Sequence, residues 1–165
     1  MNEYRIWIVA PSGPISRALN ALILALEDEG FAVEVVDVND YLAQVRHRAR
    51  PTSADVVVAE EPSMLMARTG IFRALAEIKR VRPATKTVYI PRQGNEAWRM
   101  VLLDHREIDF VVVGDVLLTG WRLVETLARG GDLAAVSGLA WRPSGEPALN
   151  GSAQGRWPGL AWEVG

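Results

Sequence analysis

Cysteine is absent from the 165-residue sequence, and histidine occurs only twice. The lack of cysteine excludes disulfides, thiolate zinc sites, thiol nucleophiles and an iron–sulfur cluster held by this chain. His47 and His105 lie far apart in polar stretches, which disfavours a metal site built on both. We therefore expect no metal ligands in this sequence.

Positive charge is not in excess either, since 18 Lys and Arg residues stand against 20 Asp and Glu residues, a net charge of −2. A nucleic-acid-binding surface needs a basic excess, so we expect no nucleic acid partner. No apolar run approaches the roughly 18 residues of a membrane span, and Ile6–Ala10 is too short for a signal peptide. We expect a cytoplasmic protein without a membrane partner.

Short β-branched runs alternate with longer segments of helical periodicity, which is typical of a parallel sheet with crossover helices. The pattern predicts a doubly wound, flavodoxin-like α/β fold with five parallel strands in the order 2-1-3-4-5. Gly30 is predicted to end the first helix, Asp40 to cap the second, and Gly70 to be a candidate break in the third. The predicted strands are Tyr4–Ala10, Phe31–Val36, Asp55–Glu60, Thr87–Ile90 and Phe110–Val113.

A β-hairpin is predicted after the fifth helix, within residues 132–150, because Gly138–Arg142 and Pro147–Asn150 flank a turn sequence. We assign residues 1–150 to one domain and residues 151–165 to a flexible tail or linker, since this end is rich in Gly and Ala. Trp141, Trp157 and Trp162 lie where a core role is hard to explain, which suggests a protein partner at the hairpin and tail.

A ligand of such a sheet is expected in the crevice at the carboxyl ends of the strands. We expect Gly114 to be the most sensitive position there, because a larger side chain would enter the crevice or block a positive φ. The candidate cofactor-binding residues, all in loops at this edge, are Pro11, Ser12, Gly13, Glu60, Ser63, Met64, Pro91, Arg92, Gln93, Gly94, Gly114 and Asp115.

Motifs for catalysis or nucleotide binding are missing from these loops. There is no GxGxxG, no GxxxxGK and no GxSxG, and Ser12 has no histidine near it in sequence. The acidic residues Asp104, Glu107 and Asp109 are best interpreted as a solvated loop. We predict no catalytic residues and therefore a binding module, with a small flavodoxin-like enzyme as the least favoured hypothesis.

Two segments carry a family resemblance: residues 104–115, DHREIDFVVVGD, and residues 130–150, GGDLAAVSGLAWRPSGEPALN. They resemble the N-terminal cobalamin-binding domain of radical SAM enzymes, which reads D-x-x-V-D-Y-V-V-x-G-E and then G-D-L-x-x-I-P-G-L-x-x-R. The resemblance spans about residues 4–150, and its most specific matches are Asp132-Leu133, Gly138-Leu139 and Arg142.

The resemblance implies a corrinoid, such as cobalamin, held across the strand ends largely by backbone amides. The sequence departs from related cobalamin domains at two points. Glu60 stands where a Ser-x-Leu motif begins, with Ser63-Met64-Leu65 displaced by three residues, and Pro91-Arg92 replaces a Gly-Gly pair. A domain of this kind that no longer bound a corrinoid would serve instead to dock a partner protein.

A phosphorylation-independent pseudo-receiver domain of a response regulator is the alternative. The strand Asp55–Glu60 resembles the receiver strand that ends in the phosphoacceptor aspartate, with Glu60 in that place. Ala10-Pro11 replaces the acidic pair, Pro91 the Thr or Ser, and Val113 the Lys of active receivers. Receivers do not carry the added hairpin, which ranks this hypothesis second.

Phosphodonors such as acetyl phosphate are expected to leave no stable mark on the protein. Glu60 occupies the acceptor position, and the acidic pair that would hold Mg²⁺ is missing. Intact-mass spectrometry after incubation checks this prediction, and the addition of one phosphoryl group would favour the receiver hypothesis instead.

Overall fold

The computed structural model describes residues 3–10, 14–46, 54–62, 65–92 and 97–151. Strands and helices alternate as far as α5, and a short 3-10 turn at Leu133–Ala135 precedes the last two strands. In chain order the elements are β1 (Arg5–Ala10), α1 (Arg17–Asp28), β2 (Ala32–Asp37), α2 (Val38–Arg46), β3 (Val56–Glu60), α3 (Leu65–Val81), β4 (Lys86–Ile90), α4 (Trp98–Asp104), β5 (Phe110–Val112), α5 (Val116–Arg129), β6 (Leu139–Trp141) and β7 (Ala148–Leu149).

The strands form one seven-stranded sheet in the order β2-β1-β3-β4-β5-β6-β7. Strands β1 to β5 are parallel, which confirms the predicted doubly wound topology. The predicted hairpin is β6 and β7. It extends the sheet, because β6 pairs antiparallel with β5 and β7 antiparallel with β6. The sequence pattern predicted the hairpin but not its place as the edge of the main sheet.

The core lies in two layers, one on each face of the sheet. Helices α1 and α5 cover one face, where Leu22, Leu26 and Leu123 pack on Ile8 and Val58. Helices α2, α3 and α4 cover the other face, where Tyr41, Ile71, Leu75 and Leu102 pack on strand residues such as Val57 and Tyr89. Each parallel strand therefore sends alternate side chains into two separate apolar layers.

Two local predictions need correction. Asp37, not Asp40, caps α2, because its Oδ1 accepts the backbone N–H groups of Asn39 at 2.8 Å and Asp40 at 3.1 Å. Helix α3 runs without a break through Gly70, whose position leaves open space for a Cβ atom. Gly30 does end α1 as predicted, with a positive φ of 89°.

Helix α3, with 17 residues, is the longest helix that the structure describes. Among the described helices, none is long and apolar enough to cross a membrane.

Strand β3 tests the topology most directly, because its residues Val56–Glu60 are all buried in the middle of the sheet. We expect Val57→Asp to abolish folding, since an unpaired buried charge costs several kcal/mol of a total stability of about 5–15 kcal/mol. The matched control is Val35→Asp on the edge strand β2, where the side chain is 53% exposed. Circular dichroism and thermal melting should separate the two variants, and a Val57→Asp protein as stable as Val35→Asp would contradict the assignment.

Candidate functional site

Five of the predicted site residues lie within the described part of the chain, and all five lie at the carboxyl edge of the parallel strands. Glu60 is the last residue of β3, Pro91 and Arg92 follow β4, and Gly114 and Asp115 connect β5 to α5. Their common location agrees with the sequence prediction. The other candidates, Pro11, Ser12, Gly13, Ser63, Met64, Gln93 and Gly94, lie outside the described residues.

Glu60 ties the end of β3 to the beginning of α1. Its side chain is on the α1 face of the sheet and is buried, and Oε2 accepts the backbone N–H of Ser16 at 3.2 Å. Ser16 in turn caps α1, because its Oγ accepts the N–H of Leu19 at 3.1 Å. Since β3 follows β1 in the sheet but not in the chain, this contact crosses the topological switch point of the fold.

Glu61 ties the end of β3 to the loop after β4. Its carboxylate accepts the backbone N–H of Arg92 at 3.0 Å, and its carbonyl oxygen accepts Nε of Arg92 at 2.9 Å. Arg68, near the start of α3, lies 3.5 Å from the same carboxylate. Sequence reasoning missed Glu61. The signal was the Glu-Glu pair at the end of a buried strand, because consecutive side chains there take opposite faces.

A buried polar cluster lies beneath Glu61 on the α3 face of the sheet. Burial, reinforced by the nearby charge of Glu61, raises the pKa of the fully buried Tyr89. Its hydroxyl and Nε of Arg68 have no hydrogen-bond partner among the described residues. The ring of Phe72 lies against both residues, with its centre 5.2 Å from that of Tyr89 and 5.3 Å from the Arg68 guanidinium. Glu60, the last residue of β3, and Glu61, the next residue, therefore face different surroundings on opposite sides of the sheet.

The loop after β5 is held by the hairpin. The carbonyl oxygen of Gly138 accepts the N–H groups of Val113 at 2.9 Å and Gly114 at 3.0 Å. The positive φ expected at Gly114 is not found there, and Gly138 has one instead, at 76°. Asp115 caps α5, since its Oδ1 accepts the N–H of Leu118 at 2.9 Å. Gly114 therefore does not adopt a left-handed backbone conformation, and its N–H is held by the carbonyl oxygen of Gly138.

The residues that carry the family resemblance in the hairpin segment have structural roles. Asp132 caps the 3-10 turn by accepting the N–H of Ala134 at 3.0 Å. The guanidinium of Arg142 donates to the carbonyl oxygens of Leu102, at 2.8 Å, and Ile108, and burial lowers its pKa. These contacts pin the hairpin to the end of α4 and the start of β5. The motif therefore builds the sheet edge that supports Gly114.

Trp141 has contacts within the domain that the sequence did not predict, while a protein partner at the hairpin and tail stays a prediction. Its side chain is half-buried, its Nε1 donates to Oδ1 of Asn150 at 3.1 Å, and its ring lies 6.3 Å from that of Phe110. A hydrogen-bond partner within the hairpin and an aromatic neighbour on β5 account for its position. Trp157 and Trp162 lie outside the described residues.

The interpretation of the acidic residues before β5 as a solvated loop is wrong for two of the three. Asp109 is partly buried, forms an ion pair with Lys79 and accepts the backbone N–H of Thr87 at 2.9 Å. Glu107 pairs with Nδ1 of His105 at 3.0 Å. Only Asp104 is exposed. Asp109 and Glu107 fasten the beginning of β5 to its neighbours, far from the carboxyl edge.

An open cleft of about 550 Å³ lies beside the ends of β1 and β2 and was not predicted. The rule that ligands bind at strand ends could have found it, had it been applied to the end of β2. Its acidic side chains do not form a metal site, since no group of three or more metal-ligating side chains occurs among the described residues. The cleft is lined by Ala10, Pro14, Ile15, Asn20, Val35, Asp37 and Asp40.

Comparison with known proteins places the fold. No protein-family model matches the sequence, and no curated protein does. Among solved structures, the chain is similar to the radical S-adenosylmethionine methyltransferase TsrM from Kitasatospora setae, with 21% identity and a TM-score of 0.67 over 88% of this chain and 30% of that one. It is similar to the cobalamin-dependent S-adenosylmethionine radical enzyme OxsB, with aqua-cobalamin bound, with 15% identity and a TM-score of 0.66 over 90% of this chain and 22% of that one.

A receiver domain has a weaker likeness. The non-phosphorylated receiver domain of the response regulator RcsB from Escherichia coli is 20% identical, with a TM-score of 0.53 over 79% of this chain and 97% of that one. The chain spans less than a third of the length of TsrM or OxsB, whereas it spans nearly all of the receiver domain. At identities this low, the structural likeness shows the α/β fold and does not show the function.

Replacing Arg142 with Leu should destabilise the domain by about 2 kcal/mol, because the carbonyl oxygens it serves would lose charge-assisted hydrogen bonds. The control Arg122→Leu removes an exposed arginine of α5 and should change stability by less than about 0.5 kcal/mol. Urea denaturation measures both variants, and equal midpoints would show that Arg142 does not pin the hairpin.

Proposed function

We propose that this chain is a non-catalytic corrinoid-binding module that resembles the cobalamin-binding domain of radical SAM enzymes. The observation that carries the proposal is the hairpin β6–β7, which extends the parallel sheet beyond β5 and is pinned by Arg142. The motif that predicted the resemblance builds this extension. The better overlap with TsrM and OxsB than with the receiver domain supports the same function.

The corrinoid would lie over the carboxyl edge of the strands. Among the described residues, Gly114 and Asp115 on one side and Pro91 and Arg92 on the other offer backbone at this edge. A corrin ring is broad and flat and carries amide arms, so backbone groups and small side chains suit it better than charges do. The bound corrinoid would supply the reactive cobalt, and this chain would hold it for another domain or protein.

Partner docking without phosphorylation, as in a pseudo-receiver, is the second candidate. The likeness to the RcsB receiver domain favours it, together with the position of Glu60 at the end of β3. The carboxylate of Glu60 is turned toward Ser16 and is buried, so phosphotransfer is not part of this candidate.

Corrinoid retention tests the proposal directly. The purified protein is incubated with hydroxocobalamin or with dicyanocobinamide, which lacks the nucleotide, and then passed through a gel-filtration column. We expect visible absorbance of at least one corrinoid to elute with the protein. If neither corrinoid elutes with it, the proposed function is wrong and docking takes its place.

Gly114→Val locates the site. We expect the variant to lose corrinoid binding by about tenfold or more, since a branched side chain would stand at the crevice wall, while the circular dichroism spectrum stays near native. Gly70→Val is the matched control, because Gly70 lies in α3 with open space for a Cβ atom. Unchanged retention by Gly114→Val would place the site elsewhere.

A further inference from the structure

We propose that Glu60 is a specificity-determining residue, a built-in anion that excludes phosphate-bearing groups from the beginning of α1. The inference rests on the proposed function and narrows its ligand class. It selects corrinoids that lack the nucleotide and therefore bring no phosphodiester into the crevice.

In a doubly wound fold the beginning of a helix at the switch point is the natural place for a ligand's phosphate. Free backbone N–H groups point outward there, and the helix dipole adds positive potential. Helix α1 has 12 residues and begins at the switch point between β1 and β3. A phosphate-binding version of this fold would keep these N–H groups available.

Two of the four N–H groups at the beginning of α1 that have no partner within the helix are engaged. Ser16 donates its N–H to Glu60 at 3.2 Å, and Leu19 donates to Oγ of Ser16 at 3.1 Å. Glu60 thus makes one of the contacts that a ligand phosphate would make. It does so from inside the protein, with only 7% of its surface exposed.

The charge of Glu60 adds to the steric occupation. A phosphate that approached the beginning of α1 would meet a buried carboxylate, where repulsion is screened far less than in water. Arg92 does not compensate for this charge, because it is turned toward Glu61 on the other side of β3. Arg17, the first residue of α1, is exposed to solvent, where its charge is screened. The arrangement disfavours binding of an anion at the beginning of α1 and does not disfavour binding of a neutral amide or hydroxyl group.

Inorganic phosphate tests Glu60 without any corrinoid. Wild-type protein should show no phosphate-dependent change in melting temperature. Glu60→Ser, which removes the anion and frees the N–H of Ser16, should gain about 3–6 °C at phosphate concentrations around ten times the dissociation constant. Glu27→Ser, an exposed position at the other end of α1, is the control and should behave like wild type. If Glu60→Ser folds poorly, the isosteric Glu60→Gln tests the charge alone, because it removes the anion and keeps an acceptor for the N–H of Ser16.

The corrinoid arm uses the same proteins. Wild type should bind dicyanocobinamide at least about tenfold more tightly than hydroxocobalamin, and Glu60→Ser should narrow that difference. Equal binding of the two corrinoids by wild type, or no phosphate response in either Glu60 variant, would overturn the role of Glu60. Binding of neither corrinoid would contradict the proposed function, and the phosphate response would still decide the inference about Glu60.

Discussion

Burial of β3 on both faces is the constraint on which the rest of the molecule depends. Four of its five residues are apolar and almost fully enclosed, so polar chemistry in the middle of the sheet is confined to the strand's end. There Glu60 and Glu61 point to opposite faces of the sheet, because side chains alternate along a strand. One carboxylate fastens α1, and the other fastens the loop after β4. The carboxyl edge is therefore stabilised by the carboxylates of Glu60 and Glu61, and a ligand at this edge would lie beside them.

The fold was predictable because its signal is periodic and repeated. Alternating apolar runs and helical stripes define the five parallel strands, and Gly30 marks a helix end through a backbone conformation that other residues avoid. Local choices between neighbouring polar residues were not predictable in the same way. Asp37 and Asp40 are both good caps, and only the exact end of β2 decides between them. The continuity of α3 through Gly70 depends on packing along the helix, which a propensity cannot show.

The position of the candidate site was predictable from the sequence, but the contacts of its residues were not. Strand order alone brings Glu60, Arg92 and Gly114 to one edge. Their partners come from residues distant in sequence, as Gly138 does for Gly114 and Ser16 does for Glu60. The same lack of tertiary information explains why the contacts of Trp141 and Asp109 were missed. Each bonds to a residue nine or more positions away, which the composition around it does not show.

The two departures from the cobalamin-binding pattern that the sequence resembles lie close together in the structure. Glu60 replaces a small hydroxyl residue and Pro91-Arg92 replaces two glycines, and each change alone would crowd the crevice. Together with Glu61 they form a connected set, since the backbone of Arg92 is held by the residue next to Glu60. Burying a charge is costly unless it is bonded, and the N–H of Ser16 offsets that cost for Glu60. The polarity of this edge is therefore set by the protein itself, and the hairpin at its far side supports Gly114.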